Sequence, residues 1–335
     1  MTAFTILRAL PHVRRAWPGR DGSLTFEQRD PAGQLRAGHI SATGKITITP
    51  HRTDPKLPDL HPHLAGELVV HRYGRRAVVL GRDRVHKLLR AGRASGPAGA
   101  AHQVGHVCRR AGLACPALLA ATSSHLEFTR LPGQSLHALG PAGLPGWERF
   151  ADTWPQVTAA RLPLGSFTGA DEAAVLRRWL DMVVAHQALP DLPHLTRAVE
   201  QVCAELAQPA EPLVLSHRDL HDKQFLWSGS SLAVLDLDTA AYAEPSLDLG
   251  NLLTHLELRA LQGVWSTEVA AAVADRLQAL TSRLPISPPR LALYRRSAAL
   301  RLACVYAFRP TSASWLPAWL ATHLSPSFAS PQKEN

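Results

Sequence analysis

Between Leu213 and Ala240 the chain reads LVLSHRDLHDKQFLWSGSSLAVLDLDTA. An apolar triplet leads into a polar loop with two His and two Asp. A second apolar triplet, a Ser/Gly turn and a third apolar run follow, the last ending in Asp236 and Asp238. Short apolar runs bounded by turn residues read as strands, so two short strands flank and support a charged loop. This arrangement suits divalent-cation chemistry, because strand ends hold hard oxygen ligands at fixed separation while the loop presents another carboxylate to a substrate hydroxyl. The simpler alternative is a solvated loop with ordinary turn acids.

The pattern elsewhere divides the chain into a β-rich front and a helical back. SLTFEQ and HISATGKITIT alternate apolar and polar residues around the Asp30-Pro31-Ala32-Gly33 turn, as a hairpin or small meander does. A Pro- and His-rich passage, PHRTDPKLPDLHPHL, separates them from GELVVHRYG, RRAVVLG and RVHKLLR, three short strands joined by tight turns. After an Ala/Gly loop over 91–101, a helix is expected from His102 to Ala111, stopped by Gly112. Pro116 to Ala121 and His125 to Leu131 supply the last front strands. Helical spacing then runs through 146–159, 171–187, 195–207, 247–261, 267–284 and 289–308. The fold class expected is α+β, with a β-rich N-terminal lobe, a mainly helical C-terminal lobe and a cleft between them for a ligand. The expected divisions are a β-rich extension over 1–62, a small nucleotide-binding lobe over 63–131 and a helical catalytic and acceptor-binding lobe over 132–330.

Charge is segregated in the same way. The 335 residues carry a formal net charge of +9, and of 36 basic side chains only five are Lys. Residues 1–150 hold 21 basic against 9 acidic side chains, and the remainder 15 against 18. A basic front half meets polyanions, and at this level nucleotide phosphates, a nucleic acid and an anionic surface are equivalent partners. The four Cys have neighbours of helical, apolar type and no paired metal-ligand spacing, which excludes a disulfide scaffold and a zinc site and implies buried thiols. With no apolar window near the ~20 residues needed to span a bilayer, and no cleavage site behind the first apolar stretch, the expectation is a cytoplasmic protein without a membrane partner.

HRDLHDKQFL, followed by LAVLDLD and EPSLDLGNLL, resembles the aminoglycoside phosphotransferase and choline kinase-like family, whose fold is protein-kinase-like. The likeness spans about residues 65 to 310 and is concentrated in 213–252. It implies a bilobal kinase-like fold and an ATP- and Mg²⁺-dependent transfer of the γ-phosphate to a hydroxyl of a small molecule. It assigns Asp219 as the carboxylate that orients or deprotonates the accepting hydroxyl and His217 as a residue that shapes the loop. Asp236 becomes the main metal ligand, with Asp238 either assisting the metal shell or ending the strand. Asp248 becomes an anchor for the catalytic loop or a cap for the next helix. Gln224 stands where the family has Asn, keeping the amide oxygen that ligates Mg²⁺ but adding a methylene. For His221 and Lys223, loop packing or a solvent-facing place is the preferred reading, with Lys223 able to touch a phosphate.

In the front lobe the resemblance places Lys87 against the α and β phosphates of the nucleotide. The family pairs this lysine with a helical Glu, yet no acid occurs between Leu88 and Leu126, so the pair must be absent or replaced; His102, Gln103 and His106 are the polar groups on the expected helix. The phosphate-covering turn offers Gly74 alone, with Arg72, Arg75 and Arg76 beside it. EFTRL, followed by Pro132-Gly133, fits the inter-lobe hinge, and an ordinary strand and turn fits equally.

Two other readings compete. A kinase-like protein that binds nucleotide or a partner without turnover is favoured by Gln224 and the missing Glu and opposed by Asp219 and Asp236. A nucleic-acid-binding protein is disfavoured because the arginines are scattered over strands and turns with little aromatic interleaving.

Overall fold

The computed structural model describes residues 2–324, so the last stretch of the expected large lobe, 325–330, lies outside the described residues. The chain opens with helix α1 (Ala3–Ala9) and a four-stranded antiparallel meander: β1 (Val13–Pro18), β2 (Leu24–Arg29), β3 (Leu35–Ile40) and β4 (Ile46–Ile48). The hairpin or small meander expected over 23–50 is a meander, β2 to β4, and β1 adds an edge strand that the pattern does not show because Arg14 and Arg15 interrupt its apolar residues. Phe26 lies directly opposite Gly38 across the β2–β3 pair, and any Cβ at Gly38 would enter the Phe26 ring. Only a glycine lets that ring lie flat across the neighbouring strand.

The small lobe follows as β5 (Glu67–Arg72), β6 (Arg76–Leu80), β7 (Arg84–Leu89), helix α2 (Ser95–Arg110), β8 (Leu118–Ala121) and β9 (His125–Thr129). Its sheet has the order β5-β6-β7-β9-β8, with adjacent strands antiparallel. The expected strands are all present. Helix α2 starts at Ser95, inside the stretch expected to be a loop, since the segment from Ser95 to Ala101 has the Gly and Pro content of a loop and its helicity is not a matter of propensity.

The alternation of β-structure sorts the small-lobe residues by face. Val78 and Leu80 of β6, with Val85 and Lys87 of β7, line the cleft. Ala77, Val79 and Leu88 turn the other way and bury against Leu35, Leu57 and Leu60. Each fully buried leucine there contributes about 1.5–3 kcal/mol.

The large lobe consists of β10 (Gln134–Ser135), α3 (Leu136–Leu139), α4 (Leu144–Thr158), α5 (Gly169–His186), α6 (Leu192–Leu206), β11 (Val214–Ser216), β12 (Phe225–Trp227), β13 (Leu232–Val234), β14 (Ala241–Ala243), α7 (Pro245–Leu261), α8 (Thr267–Gln278), α9 (Pro288–Ala307) and α10 (Leu316–Leu324). Start signals are legible: Thr168 and Asp171 form a reciprocal capping box on α5, and α7 and α9 begin with proline. The helix expected over 267–284 ends at Gln278 and passes into a tighter turn.

Residues 1–62 bind both lobes. Leu7, Leu24, Phe26 and Ile40 share a core with Leu176, Val199, Leu293 and Trp319 of the large lobe. Toward the small lobe, the buried Glu27 accepts the backbone N–H of His71 at 3.1 Å. All four cysteines are free and buried, and no described helix is long and apolar enough to cross a membrane.

Candidate active site

Strand β13 ends at Val234, and two residues later the backbone enters the left-handed region at Asp236 (φ 59°, ψ 45°). Aspartate is among the few residues that tolerate this conformation. A single tight turn over Leu237–Thr239 follows, and Asp236 and Asp238 come to line one cavity between the lobes. Lys87 lines it from above: its Nζ lies 2.7 Å from Asp236 Oδ1 and 2.7 Å from Asp238 Oδ2. Burial alone would pull the lysine down, but the two carboxylates hold it above its ordinary value. Burial would likewise push Asp236 up, yet Lys87 holds it far below the usual carboxylate range. Asp238 is raised, by its own burial and by the charge of Asp236 beside it.

Lys87 is thus paired with Asp236 and Asp238, where the resemblance implies a helical Glu. The polar groups expected from α2 do not take the lysine: the helix contributes Ala101 to the cavity wall, and the side-chain oxygen of Gln103 is buried without a hydrogen bond. The replacement is invisible to a search for a helical Glu, because the partners lie about 150 residues downstream.

The loop after β11 is held by its surroundings at almost every residue. His217 hydrogen-bonds the Leu235 carbonyl through Nε2 at 2.7 Å and accepts the Asp219 backbone N–H on Nδ1 at 3.3 Å. One tautomer satisfies both bonds. The ring thereby ties Asp219 to the residue preceding Asp236. Asp248, on the first turn of α7, accepts the backbone N–H groups of His217 (2.7 Å) and Arg218 (2.8 Å), the latter in a left-handed conformation with φ 73°. Asn251 donates to the Leu220 carbonyl at 2.8 Å.

Beyond it, the fully buried Asp222 is gripped by the Arg259 guanidinium at 2.7 and 2.9 Å and by His137 at 2.5 Å. Burial would raise this carboxyl, and the bonds from His137, His221 and Arg259 hold it well below its ordinary value instead. The Arg259–Asp222 fork and the Asn251 contact were not readable from motif spacing. The one available signal was an arginine inside a helix, LTHLELRAL, whose other positions are largely apolar.

Among the expected site residues, Lys87, Gln224, Asp236 and Asp238 therefore line a single cavity of about 580 Å³. Its roof is apolar, with Val78, Leu80 and Val85, and its side is formed by Phe128 to Leu131, the stretch read as a hinge. Two residues stand apart. Asp219 does not line the cavity; it is half-buried on the adjoining loop, and among the described residues its carboxylate has no hydrogen-bond partner. Gly74, expected to cover phosphate, is also outside it, and its N–H is already donated to Asp54 Oδ2 at 2.7 Å. The same Asp54 oxygen receives His71 Nε2 at 3.1 Å. The turn is thus tied to the extension, and Arg76 is the nearby cation that reaches the cavity.

The donor set fits a hard divalent cation. Asp236, Asp238 and the Gln224 amide offer oxygen only, as Mg²⁺ requires, and Asp236 is held ionised. The single Lys87 ammonium bridges the two carboxylates.

Residues 71–294 match the family model described as "Phosphotransferase enzyme family". No curated protein sequence matches the chain. Among solved structures, a choline kinase, LicA, from Streptococcus pneumoniae is 11% identical over 76% of this chain and 90% of its own, with a TM-score of 0.53. A choline/ethanolamine kinase family protein from Mesorhizobium loti is 16% identical over 82% and 93%, with a TM-score of 0.52. An ethanolamine kinase from Plasmodium vivax is 11% identical over 81% and 85%, with a TM-score of 0.53. At these identities the likeness is one of fold, the bilobal kinase-like fold expected from the motifs.

Proposed function

We propose that this chain, which belongs to the phosphotransferase enzyme family, moves the γ-phosphate of ATP to a hydroxyl of a small molecule with Mg²⁺ as cofactor. The observation that carries this reading is the convergence of Lys87, Gln224, Asp236 and Asp238 on one cavity. Phosphoryl transfer asks a protein mainly to hold the attacking and leaving oxygens in line and to balance the charge on the phosphoryl group. The apolar roof accepts the base and sugar. Lys87 would turn from the two carboxylates to the nucleotide phosphates, and Asp236, Asp238 and Gln224 would hold a Mg²⁺ ion, which would supply neutralisation of phosphate charge.

Asp219, with its oxygens free, orients the acceptor hydroxyl and takes its proton as the new O–P bond forms and the bond between the γ-phosphorus and the β–γ bridging oxygen breaks. His217 and Asp248 hold that carboxylate in place through the loop backbone. A second reading, nucleotide binding without turnover, is favoured by the hold of Lys87 on both acids.

Thermal shift with ATP, with and without Mg²⁺, tests the site: metal-dependent stabilisation is expected in the wild type and is lost in Asp236→Ala. Phosphate transfer over a panel of hydroxyl compounds tests the reaction. Asp219→Asn should reduce turnover by about 10²–10⁴-fold while retaining Mg–ATP stabilisation. Stabilisation of the wild type with no transfer to any acceptor would establish the second reading.

A further inference from the structure

On the outer face of the small-lobe sheet, away from the cavity, three metal-ligating side chains come together: His86 of β7 with His125 and Glu127 of β9. Strand pairing brings them there. His86 lies directly opposite Glu127, and His125, two residues earlier on β9, lies opposite the buried Leu88. Alternation then turns all three away from Lys87 and Phe128, which line the cavity. Neither strand shows this on its own, since the two histidines are 39 positions apart in the chain.

The ligand atoms face one another. His86 Nδ1 is 3.0 Å from His125 Nε2 and 3.8 Å from Glu127 Oε2, and one ligand atom from each of the three residues lies within 4.8 Å of the others. Two donors on one tetrahedral zinc ion, each about 2.0–2.1 Å from it, stand about 3.3 Å apart. At either measured separation the side chains need to move by no more than about half an ångström. Arg84 hydrogen-bonds the other oxygen of Glu127, which fixes the direction of the carboxylate as the outer partners of metal ligands do. Across the flanking strands His86 is opposite Val79 and Glu127 is opposite Ala120. The side chains of His86 and Glu127 are 12% and 15% exposed, so the group is walled by apolar neighbours yet open to an ion arriving from solvent. Two imidazoles and a carboxylate suit Zn²⁺ and its first-row neighbours, whereas Mg²⁺ takes oxygen ligands. The simpler alternative is a hydrogen bond between two neutral imidazoles beside an ordinary ion pair.

We propose that His86, His125 and Glu127 form a binding site for a zinc-class divalent cation, with water as the fourth ligand, that clamps β7 to β9 on the face opposite the inter-lobe cavity. The site uses no cysteine and none of Asp236, Asp238 and Gln224, and it stands independently of the phosphotransferase reading. Lys87 follows His86 and Phe128 follows Glu127 in the chain, so the clamp holds the two strands that carry these cavity residues.

The test uses the full chain, stripped with a chelator and titrated with Zn²⁺ in a large excess of Mg²⁺, with bound zinc read by competition against a chromophoric chelator. One equivalent of zinc should bind, and Mg²⁺ should not displace it. His86→Gln and His125→Gln should each weaken binding by about 100-fold or more, beyond the ~10–100-fold that loss of an outer partner costs. Replacing the exposed His61 and His63 of the Pro- and His-rich passage by Gln should leave the affinity unchanged. A measurement on the wild type avoids any dependence on how a variant folds: one equivalent of zinc should protect His86 and His125 together from diethyl pyrocarbonate, mapped by mass spectrometry. A wild type that takes up no stoichiometric zinc would overturn the proposal, and so would a His86→Gln variant that binds it undiminished. Protection of His221 and His255 instead, which form the other such group with Asp222, would move the ion to the large lobe and overturn it equally.

Discussion

Lys87 of the small lobe and Asp236 of the large lobe meet at 2.7 Å, with Asp238 at the same distance on the other side of the ammonium. On the proposed function, the lysine and a Mg²⁺ ion would compete for the same oxygens until a nucleotide gave the lysine phosphates of its own. Lys87→Met separates these effects. With the ammonium gone, two neighbouring carboxylates repel each other, so Mg²⁺ alone should stabilise the variant more than it does the wild type. Turnover should nonetheless fall and the KM for nucleotide rise by about ten-fold or more, since a charge-assisted contact to phosphate is worth roughly 1.5–3 kcal/mol. Thermal shift with Mg²⁺ alone and steady-state kinetics check the two halves. A variant with unchanged Mg²⁺ response would show that the ion pair does not guard the metal ligands.

Gln224 is fixed through its backbone, whose N–H donates to the His221 carbonyl at 2.9 Å and whose carbonyl accepts the Leu235 N–H at 2.8 Å. The reach of the amide is then set by side-chain length, with its nitrogen 3.5 Å from His221 Nε2. Gln224→Asn, although it restores the residue type of the family pattern, should withdraw the oxygen from this particular cavity and raise the Mg²⁺ concentration for half-maximal turnover by about ten-fold. Gln224→Leu should raise it further. Metal titrations at fixed ATP measure both, and an improved metal response in the Asn variant would contradict the assignment.

Asp248 supplies acceptors to two successive backbone N–H groups, one of them on the left-handed Arg218. Asn at this position has one acceptor oxygen and an amide that would face a donor. Asp248→Asn should therefore lower kcat by about 10–100-fold through misplacement of Asp219, with little change in the KM for nucleotide. A fall in nucleotide affinity with kcat preserved would relocate its influence to the cavity.

The sequence made the chemistry more legible than the packing. Strand periodicity located β5 to β7 and put Lys87 on the third of them, and the two acids that end LAVLDLD line one cavity with it. Period-two alternation reports only which face a residue occupies, so it could not reveal that the Gly74 N–H is donated to Asp54. Nor could local pattern show what replaces the helical Glu, because the replacement is a contact between Lys87 and residues some 150 positions away. Helix α1 and strand β1 escape a local reading for another reason: they are short, and their buried residues become core only in a cluster shared with β2, β3, α5, α6 and α9. The Arg259–Asp222 fork belongs to the same class of long-range contacts, which fix the loop without leaving a spacing in the sequence.

That fork yields a pH-dependent prediction. Asp222 is fully buried, and its carboxyl is held well below its ordinary value by His137, His221 and Arg259 against the opposing push of burial. A carboxyl whose pKa is depressed on folding contributes stability that is fully present above the unfolded value, near 3.9, and is lost as pH falls through the lower folded value. Asp222→Asn keeps the shape but leaves the buried Arg259 without a counter-charge, which should cost about 3–5 kcal/mol at pH 7. The difference between wild type and variant in urea denaturation should stay constant from pH 8 to about 5 and shrink only below about pH 4, as the wild type begins to bind the proton the variant cannot. Above pH 5 the histidines at this site offer a separate control: His137→Gln, which retains a hydrogen-bonding group, should lower stability by less than Asp222→Asn does, because Arg259 remains paired. A stability difference that closed between pH 7 and 6 would assign the linkage to a histidine and remove Asp222 as the charge that anchors the loop.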